Sequence, residues 1–414
     1  HQLTGLSVTV LSNSEQRFLS YKALAAMEDN FNKIIEKGTA ILDLDGGSFQ
    51  ISLFDKDALV TTQNIRMGSL RIRERLAGIQ SETEHYEEMV EELIWNEVSS
   101  FKKMYLKDRK IENIMLIGDV FTDSVYQNIE EKTTKIISRE NFNTWYEKII
   151  RQSPMELAVK LGIPLENASL MYPSAVIYKC LIDMMGAEHI WIPGVHMTRG
   201  IAYEYAEQMK LLKGGHNFEN DILVASRNIA KRYSTGKDHI KGTTDIALTI
   251  FDSMKKIHGM GARERLLLQI AVQLHDCGKY ISMADVAECS YRIIMATEII
   301  GLSTEERKVI ASAVRYNTTE FVYYGNYDDG PEIDRERYLL AAKLTAILRL
   351  ANAMDRSHYQ KVESLRVVLK DRELQMIIDS SRDISLELGL LRDKVKFFEE
   401  VFGIRLVLKR KRRA

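Results

Sequence analysis

Residues 41–54, ILDLDGGSFQISLF, set two carboxylates and two glycines between apolar runs, and the stretch reads as strand, tight turn, strand. Gly46 and Gly47 permit backbone conformations that other residues avoid and let amide N–H groups come close to a ligand. Amides arranged in this way cradle phosphate oxygens, and Ser48 adds a hydroxyl donor. A carboxylate beside such a cradle repels a phosphate unless a cation such as Mg²⁺ lies between Asp43 and the phosphate oxygens. The chemistry suggested is that of a metal–phosphate ligand. Asp-Gly is also an ordinary hairpin turn, and the turn alone does not choose between the two readings.

A second set of donors lies later in the chain. His239 in TGKDHIKGT and the adjacent His275-Asp276 in QLHDCGK belong to separate helical stretches. Imidazole and carboxylate donors gathered from separate helices can hold a metal ion with an open coordination position. The plainer alternative is a His–Asp contact satisfied within a core.

These residues sit in a chain of 414 residues, 45% hydrophobic, which is long enough for two or three domains. Lys+Arg number 57 against 58 Asp+Glu, so no overall field points to nucleic acid or a membrane as partner. Cys180, Cys277 and Cys289 have no CxxC spacing and are expected as reduced thiols. No run reaches the roughly 18–20 apolar residues of a membrane helix, and no signal peptide opens the chain, so a soluble cytoplasmic protein is expected. The first residue is His1, not Met, and an upstream segment is expected. The terminal run Lys409 to Arg413 reads as a solvated tail, with attraction of a polyanion as the alternative.

The elements that must position the donors fall into three zones. From residue 6 to about 206, strands and helices alternate. LSVTVLS reads as a strand, EQRFLSYKALAAM as a helix, and 39–67 as a hairpin followed by a third strand. Residues 84–106 carry apolar positions at three- and four-residue steps, and IENIMLIGD follows as a core strand. Ser153-Pro154-Met155-Glu156 is a helix start that Gly162 closes, and a further helix is expected from about Pro173 to Met185. From Glu219 to about His358 the pattern is helical, and the last 55 or so residues read as a small α+β tail. The expected domains are 1–212, 213–358 and 359–414.

The order GLSVTVLSNSEQRFLSYKALAA, ILDLDGGSFQISLF, NIRMGSLRIRERL, IENIMLIGD and LGIPLENASLMYPSAVIYKCLIDMMGAEHIWIPGVHMTRGIAYE resembles the second half of the exopolyphosphatase/guanosine pentaphosphate phosphohydrolase (Ppx/GppA) family. The resemblance implies α/β plus all-α architecture. Its parts are a ribonuclease-H-like half-module of the actin-like ATPase superfamily, an HD-type helical domain and a small α+β C-terminal domain. It also implies Mg²⁺-dependent removal of a terminal phosphate from polyphosphate or guanosine pentaphosphate, and a homodimer. No membrane or specific nucleic acid is expected as partner.

Residue by residue, the resemblance places Glu15 at the family's catalytic glutamate, as general base for a water. Without it, Glu15 is a solvated acid in the first turn of a helix. Asp43 falls at the first acid of the family's DIGGGSTE turn, as metal ligand, and Gly46, Gly47 and Ser48 fall at its phosphate-binding part. Gly68 and Arg71 match the PLGxxR turn, with Arg71 on phosphate.

Departures accompany the matches. Asp45 replaces the family's middle glycine, Phe49 its threonine and Gln50 its closing glutamate, so metal and phosphate binding are both expected to weaken. The family's later GTSGT-like turn is present only as GDVFTD, and its first half-domain, with a DxGSNS turn, is not in this sequence. In-line displacement needs phosphate held from both sides.

His239, His275 and Asp276 are similar to the ligand set of HD phosphohydrolases, but Ala287, Cys289, Asn317 and Asn352 stand where further ligands are expected. Asp355 lies three residues beyond Asn352 and would serve only with a change of helical register. The helical domain therefore reads as structural, or as half of a polyanion channel, with a mononuclear metal as the alternative. Two functions remain in view: an exopolyphosphatase-like hydrolase, and a catalytically degenerate binder acting as sensor or scaffold.

Overall fold

The structure, a computed structural model, describes residues 5, 8, 10–27, 30–56, 58–78, 85–128, 135–212, 216–324, 333–370 and 373–411. Apolar residues between 39 and 65 build β1 (Thr39–Leu44), β2 (Phe49–Asp55) and β3 (Ala58–Ile65), with β1 buried along its whole length. The link 45–48 returns β1 into antiparallel β2, setting Leu44 opposite Phe49 and Asp43 opposite Gln50. On the other edge of β1 lies parallel β4 (Asn113–Ile117), with Ile117 beside Asp43. Short strands β5 (Ile136–Ser138) and β6 (His189–Trp191) complete the order β3-β2-β1-β4-β6-β5. Neighbouring parallel strands β1 and β4 thus end together, which is where open α/β sheets bind ligands.

Helices α1 (Asn13–Met27), α2 (Ser69–Leu76), α3 (Tyr86–Phe101), α4 (Pro154–Leu161), α5 (Leu165–Met185) and α6 (Met197–Gln208) accompany this sheet. The stripe Val90, Ile94, Val98 and Phe101 buries one face of α3, whose last turn continues as a π-helical turn at Lys102–Leu106. The reciprocal Ser153–Glu156 cap, Pro154 and left-handed Gly162 bound α4.

Helix α5 corrects the expected start at Pro173: it begins at Leu165 and runs through that proline. Pro173 removes one backbone hydrogen bond, but Ala168, Met171, Ala175, Val176 and Tyr178 are buried on both sides of it, and this packing holds the helix together. Of the strand expected at LSVTVLS, residues 6, 7 and 9 lie outside the described set. Val8 and Val10 are exposed and not in a strand. A strand needs a paired edge for its backbone groups, and none of the six strands in the sheet is this segment.

The chain divides into two compact units, His1–Ala225 and Ser226–Ala414, and the division falls inside α7 (Phe218–Arg232). In the second unit follow α8 (Lys237–Ser253), α9 (Ala262–Leu274), α10 (Val286–Ala296), α11 (Thr304–Arg315) and α12 (Arg335–Met354). Strands β7 (Ser364–Lys370) and β8 (Glu373–Asp379) pair antiparallel, α13 (Ser385–Phe402) comes next, and β9 (Arg405–Arg410) joins β8 in parallel. The sequence division at 212 and 358 differs from this one in treating the last elements separately, and residues 213–215 lie outside the described set. Among the described residues, no helix is long and apolar enough to cross a membrane.

Candidate functional site

The turn between β1 and β2 is closed by its own carboxylate. Asp45 Oδ1 accepts hydrogen bonds from the amides of Gly47 (2.7 Å) and Ser48 (2.8 Å), and the Asp45 amide donates to Ser48 O (3.0 Å). An aspartate readily folds back in this way onto backbone two residues ahead. These amides therefore already hold an anionic oxygen, supplied by the residue that replaces the family's glycine.

Arg17 enters the turn from α1 and is almost fully buried. One guanidinium nitrogen donates to Asp43 Oδ1, and the other donates to Asp45 Oδ2 at 2.6 Å and approaches Ser48 Oγ at 3.3 Å. Two carboxylates share one guanidinium. Asp43 Oδ2 is shut off from solvent and has no hydrogen-bond partner among the described residues. Burial pushes the Asp43 carboxyl up to about 6, against the opposing pull of Arg17.

Mg²⁺ does not fit this arrangement as it stands. A cationic guanidinium occupies one face of Asp43, and Gln50, opposite Asp43 in the sheet, is a neutral amide whose nitrogen is 3.4 Å from Ser52 Oγ. A divalent ion would face Arg17 with a single unencumbered carboxylate oxygen. Hard cations such as Mg²⁺ want several oxygens, including those of water or phosphate.

The turn's carbonyls are also engaged. Ser69 N donates to Asp45 O at 3.3 Å and Arg71 N to Gly46 O at 3.2 Å, so the first amides of α2 bind the turn itself. A β-carbon at Gly68 would collide with the Asp45 and Gly46 backbone, which explains glycine at that position. Arg71 is brought beside the turn. With Gly46, Gly47, Leu70, Glu74 and Arg75 it lines an open cleft of about 470 Å³.

Glu15 stands in the first turn of α1, where its Oε2 accepts from Ser12 N (2.9 Å) and Ser12 Oγ (2.7 Å). This is a helix-capping role. Arg17, two residues on, reaches the turn from this helix, and the sequence reading missed it. Its signal was a charged residue in a segment whose neighbours Phe18, Leu19 and Tyr21 are apolar, together with a surplus carboxylate in the turn that needs a counter-charge.

On the β4 side, the turn at Gly118-Asp119, which leads into the helix Val120–Asn128, adds a second buried carboxylate oxygen. Gly118 has φ +106°, and a β-carbon there would collide with Asp43 Oδ1. Asp119 Oδ1 accepts from Thr122 N (3.1 Å) and the Tyr178 hydroxyl (3.3 Å), while Oδ2 has no hydrogen-bond partner among the described residues. Burial pushes this carboxyl up to about 6 as well.

In the second unit, His239 lies in the first turn of α8, and His275-Asp276 directly follows α9. Their donor atoms converge within 4.8 Å of one another. Asp355 needs no register change to take part, contrary to the sequence reading. Helix α12 stops at Met354, and Asp355 turns out of the helix (φ −126°, ψ 38°), so its Oδ2 lies 2.7 Å from His239 Nδ1.

A sequence profile of the Ppx/GppA phosphatase family matches residues 1–209, and a profile of Ppx/GppA phosphatase domain III matches residues 224–394. No curated protein matches the chain. Among solved structures, it is similar to a Ppx/GppA family member from Aquifex aeolicus, at 14% identity and TM-score 0.42, over 51% of this chain and 68% of that one. An exopolyphosphatase from Cytophaga hutchinsonii is similar at 14% identity and TM-score 0.39, over 47% and 64%. An exopolyphosphatase-like protein is similar at 14% identity and TM-score 0.43, over 50% and 69%. The matched region thus spans about two-thirds of these chains.

Proposed function

The chain belongs to the Ppx/GppA phosphatase family, whose profile covers just over half of it, residues 1–209, and from that premise we propose that it binds a phosphate-rich polyanion without hydrolysing it at the DLDGGS turn. The polyanion is polyphosphate or guanosine pentaphosphate. The reading is carried by Asp45, whose carboxylate holds the Gly47 and Ser48 amides that a terminal phosphate would need. Arg17 supports it by neutralising Asp43, the expected metal ligand. Binding falls to the cleft beside the turn, where Arg71 and Arg75 supply positive charge. The strand order β3-β2-β1-β4-β6 supports a ribonuclease-H-like half-module for this unit.

Hydrolysis with Glu15 as general base and Mg²⁺ on Asp43 is the second reading, favoured by the hydrogen-bond-free Oδ2 of Asp43. One pair of assays separates the two: equilibrium binding of fluorescent long-chain polyphosphate, and phosphate release from the same polymer with Mg²⁺. We expect binding that Arg71→Ala weakens about tenfold, as for loss of one charge-assisted contact, and no release above background. Release that Glu15→Gln abolishes would establish hydrolysis instead, and absence of binding would overturn both.

The same binding assay tests the turn directly. Asp45→Gly frees two amides and removes a negative charge, so affinity for inorganic phosphate and short polyphosphate should rise. An unchanged affinity would show that the amides of Gly47 and Ser48 are not the limiting feature.

A further inference from the structure

We infer that the second unit binds a phosphate-class oxyanion on three cations: Arg349 of α12, Arg356 just beyond that helix, and Lys394 of α13. The argument begins with a buried charge. Arg349 is only 9% exposed. Its Nε donates to the Tyr316 carbonyl at 2.7 Å and its Nη2 to the Thr319 carbonyl at 2.6 Å. The guanidinium carbon lies 4.4 Å from the centre of the Phe397 ring. Nη1 makes no hydrogen bond among the described residues.

A buried cation is ordinarily answered by a carboxylate, because taking it out of water is costly. None answers this one. Among the described residues, Arg349, Arg356 and Lys394 form no ion pair. Helix α12 carries no acid after Glu336. On α13, Asp393 is exposed, Glu399 accepts from the Leu406 amide and Glu400 from the Tyr323 hydroxyl. Tyr316 caps the C-terminus of α11, whose dipole supplies about half a negative charge. That leaves most of the positive charge unanswered.

The three cations share one place. Lys394 precedes Phe397 by one turn of α13 and so borders the ring on which Arg349 lies. Arg356 follows Arg349 by two turns' length of chain, and Lys394 feels both guanidinium groups. Burial, and then these two neighbours, hold the Lys394 ammonium below the usual lysine range, with Asp393 opposing them. An anion set among the three would relieve the repulsion.

The donors define the ligand. Guanidinium and ammonium groups only donate, so they suit a ligand with several acceptor oxygens and more than one negative charge. Chloride and a simple carboxylate offer less of both. Inorganic phosphate and the terminal phosphoryl group of a larger molecule share the required chemistry. The inference does not rest on the function proposed for the DLDGGS turn, which belongs to the other unit.

The test is calorimetric titration of the whole chain with inorganic phosphate, and separately with tripolyphosphate, at constant ionic strength in chloride. Saturable phosphate binding that sulfate displaces is expected. Lys394→Gln and Arg356→Gln should each lower phosphate affinity about tenfold, as for loss of one charge-assisted contact. Lys396→Gln removes an exposed charge from the same helix and should leave affinity unchanged. The difference between wild type and Lys394→Gln isolates this site from the cleft of the first unit. If that difference is larger for tripolyphosphate, the ligand is a terminal phosphoryl group; if not, it is the free ion. Lys394→Glu brings a carboxylate to Arg349, so phosphate should no longer raise its thermal midpoint. Absence of saturable phosphate binding would overturn the inference, as would wild-type affinity in folded Lys394→Gln and Arg356→Gln or an undiminished phosphate response in Lys394→Glu.

Discussion

Arg17 bonds Asp43 and Asp45 at once; Arg17 and Asp43 are buried, while the Asp45 side chain is 37% exposed. A buried ion pair gains little over apolar packing, but removing one partner strands the other. Arg17→Met is therefore expected to destabilise the protein by about 3–5 kcal/mol, read as a lower urea midpoint, and Asp43→Asn on that background should restore part of the loss. Asp119 gives a pH prediction. Burial raises its carboxyl from the ordinary 3.8 to about 6, so the folded state holds this proton more tightly than the unfolded chain. Its contribution to stability is complete below about pH 4 and lost as pH rises through 6. Asp119→Asn keeps the acceptor for Thr122 and Tyr178 without the charge. It should raise stability at pH 7, by at most roughly 3 kcal/mol for two pH units, and flatten the decline between pH 4 and 6. Equal pH profiles for mutant and wild type in thermal unfolding would contradict this.

Helix α1 delivers Arg17, and its position is set by close approach to α6. Gly200 lies against the Leu19 carbonyl, and a β-carbon there would collide with it. Backbone cannot yield as a flexible side chain does, so Gly200→Ala should cost about 1–3 kcal/mol by overpacking, measured by chemical denaturation. The elements themselves differ in how visible they were. The Asp-Gly turn, the cap at Ser153 and the buried stripe of α3 were readable, because each is encoded within a few neighbouring residues. The start of α5 was not. Proline is a strong local stop signal, and only burial on both sides of Pro173 overrides it.

At the level of the molecule, the two compact units give a test that uses the protein's own reporters. Its three tryptophans, Trp95, Trp145 and Trp191, all lie in the unit 1–225, while the candidate metal ligands His239, His275 and Asp276 lie in the unit 226–414. A ligand stabilises the state that binds it. Zn²⁺ should therefore raise the midpoint of thermal unfolding followed by far-UV circular dichroism, which counts helices of both units. The tryptophan-fluorescence midpoint should stay in place. Equal shifts in both signals would mean that the units unfold as one.

The sequence by itself determined the strand–turn–strand, the succession of helices after residue 219, and the membership of a phosphatase family, because periodicity, turn residues and motif order are written along the chain. It also named Asp43, Arg71, His239, His275 and Asp276 as residues to watch. Only the tertiary structure decided what their charges meet. Arg17 closes on Asp43 from 26 positions away, and Asp355 reaches His239 across 116. Pairings over such separations depend on which helix packs where, and an extra carboxylate reads as a defect in a motif until the folded chain supplies the cation that answers it.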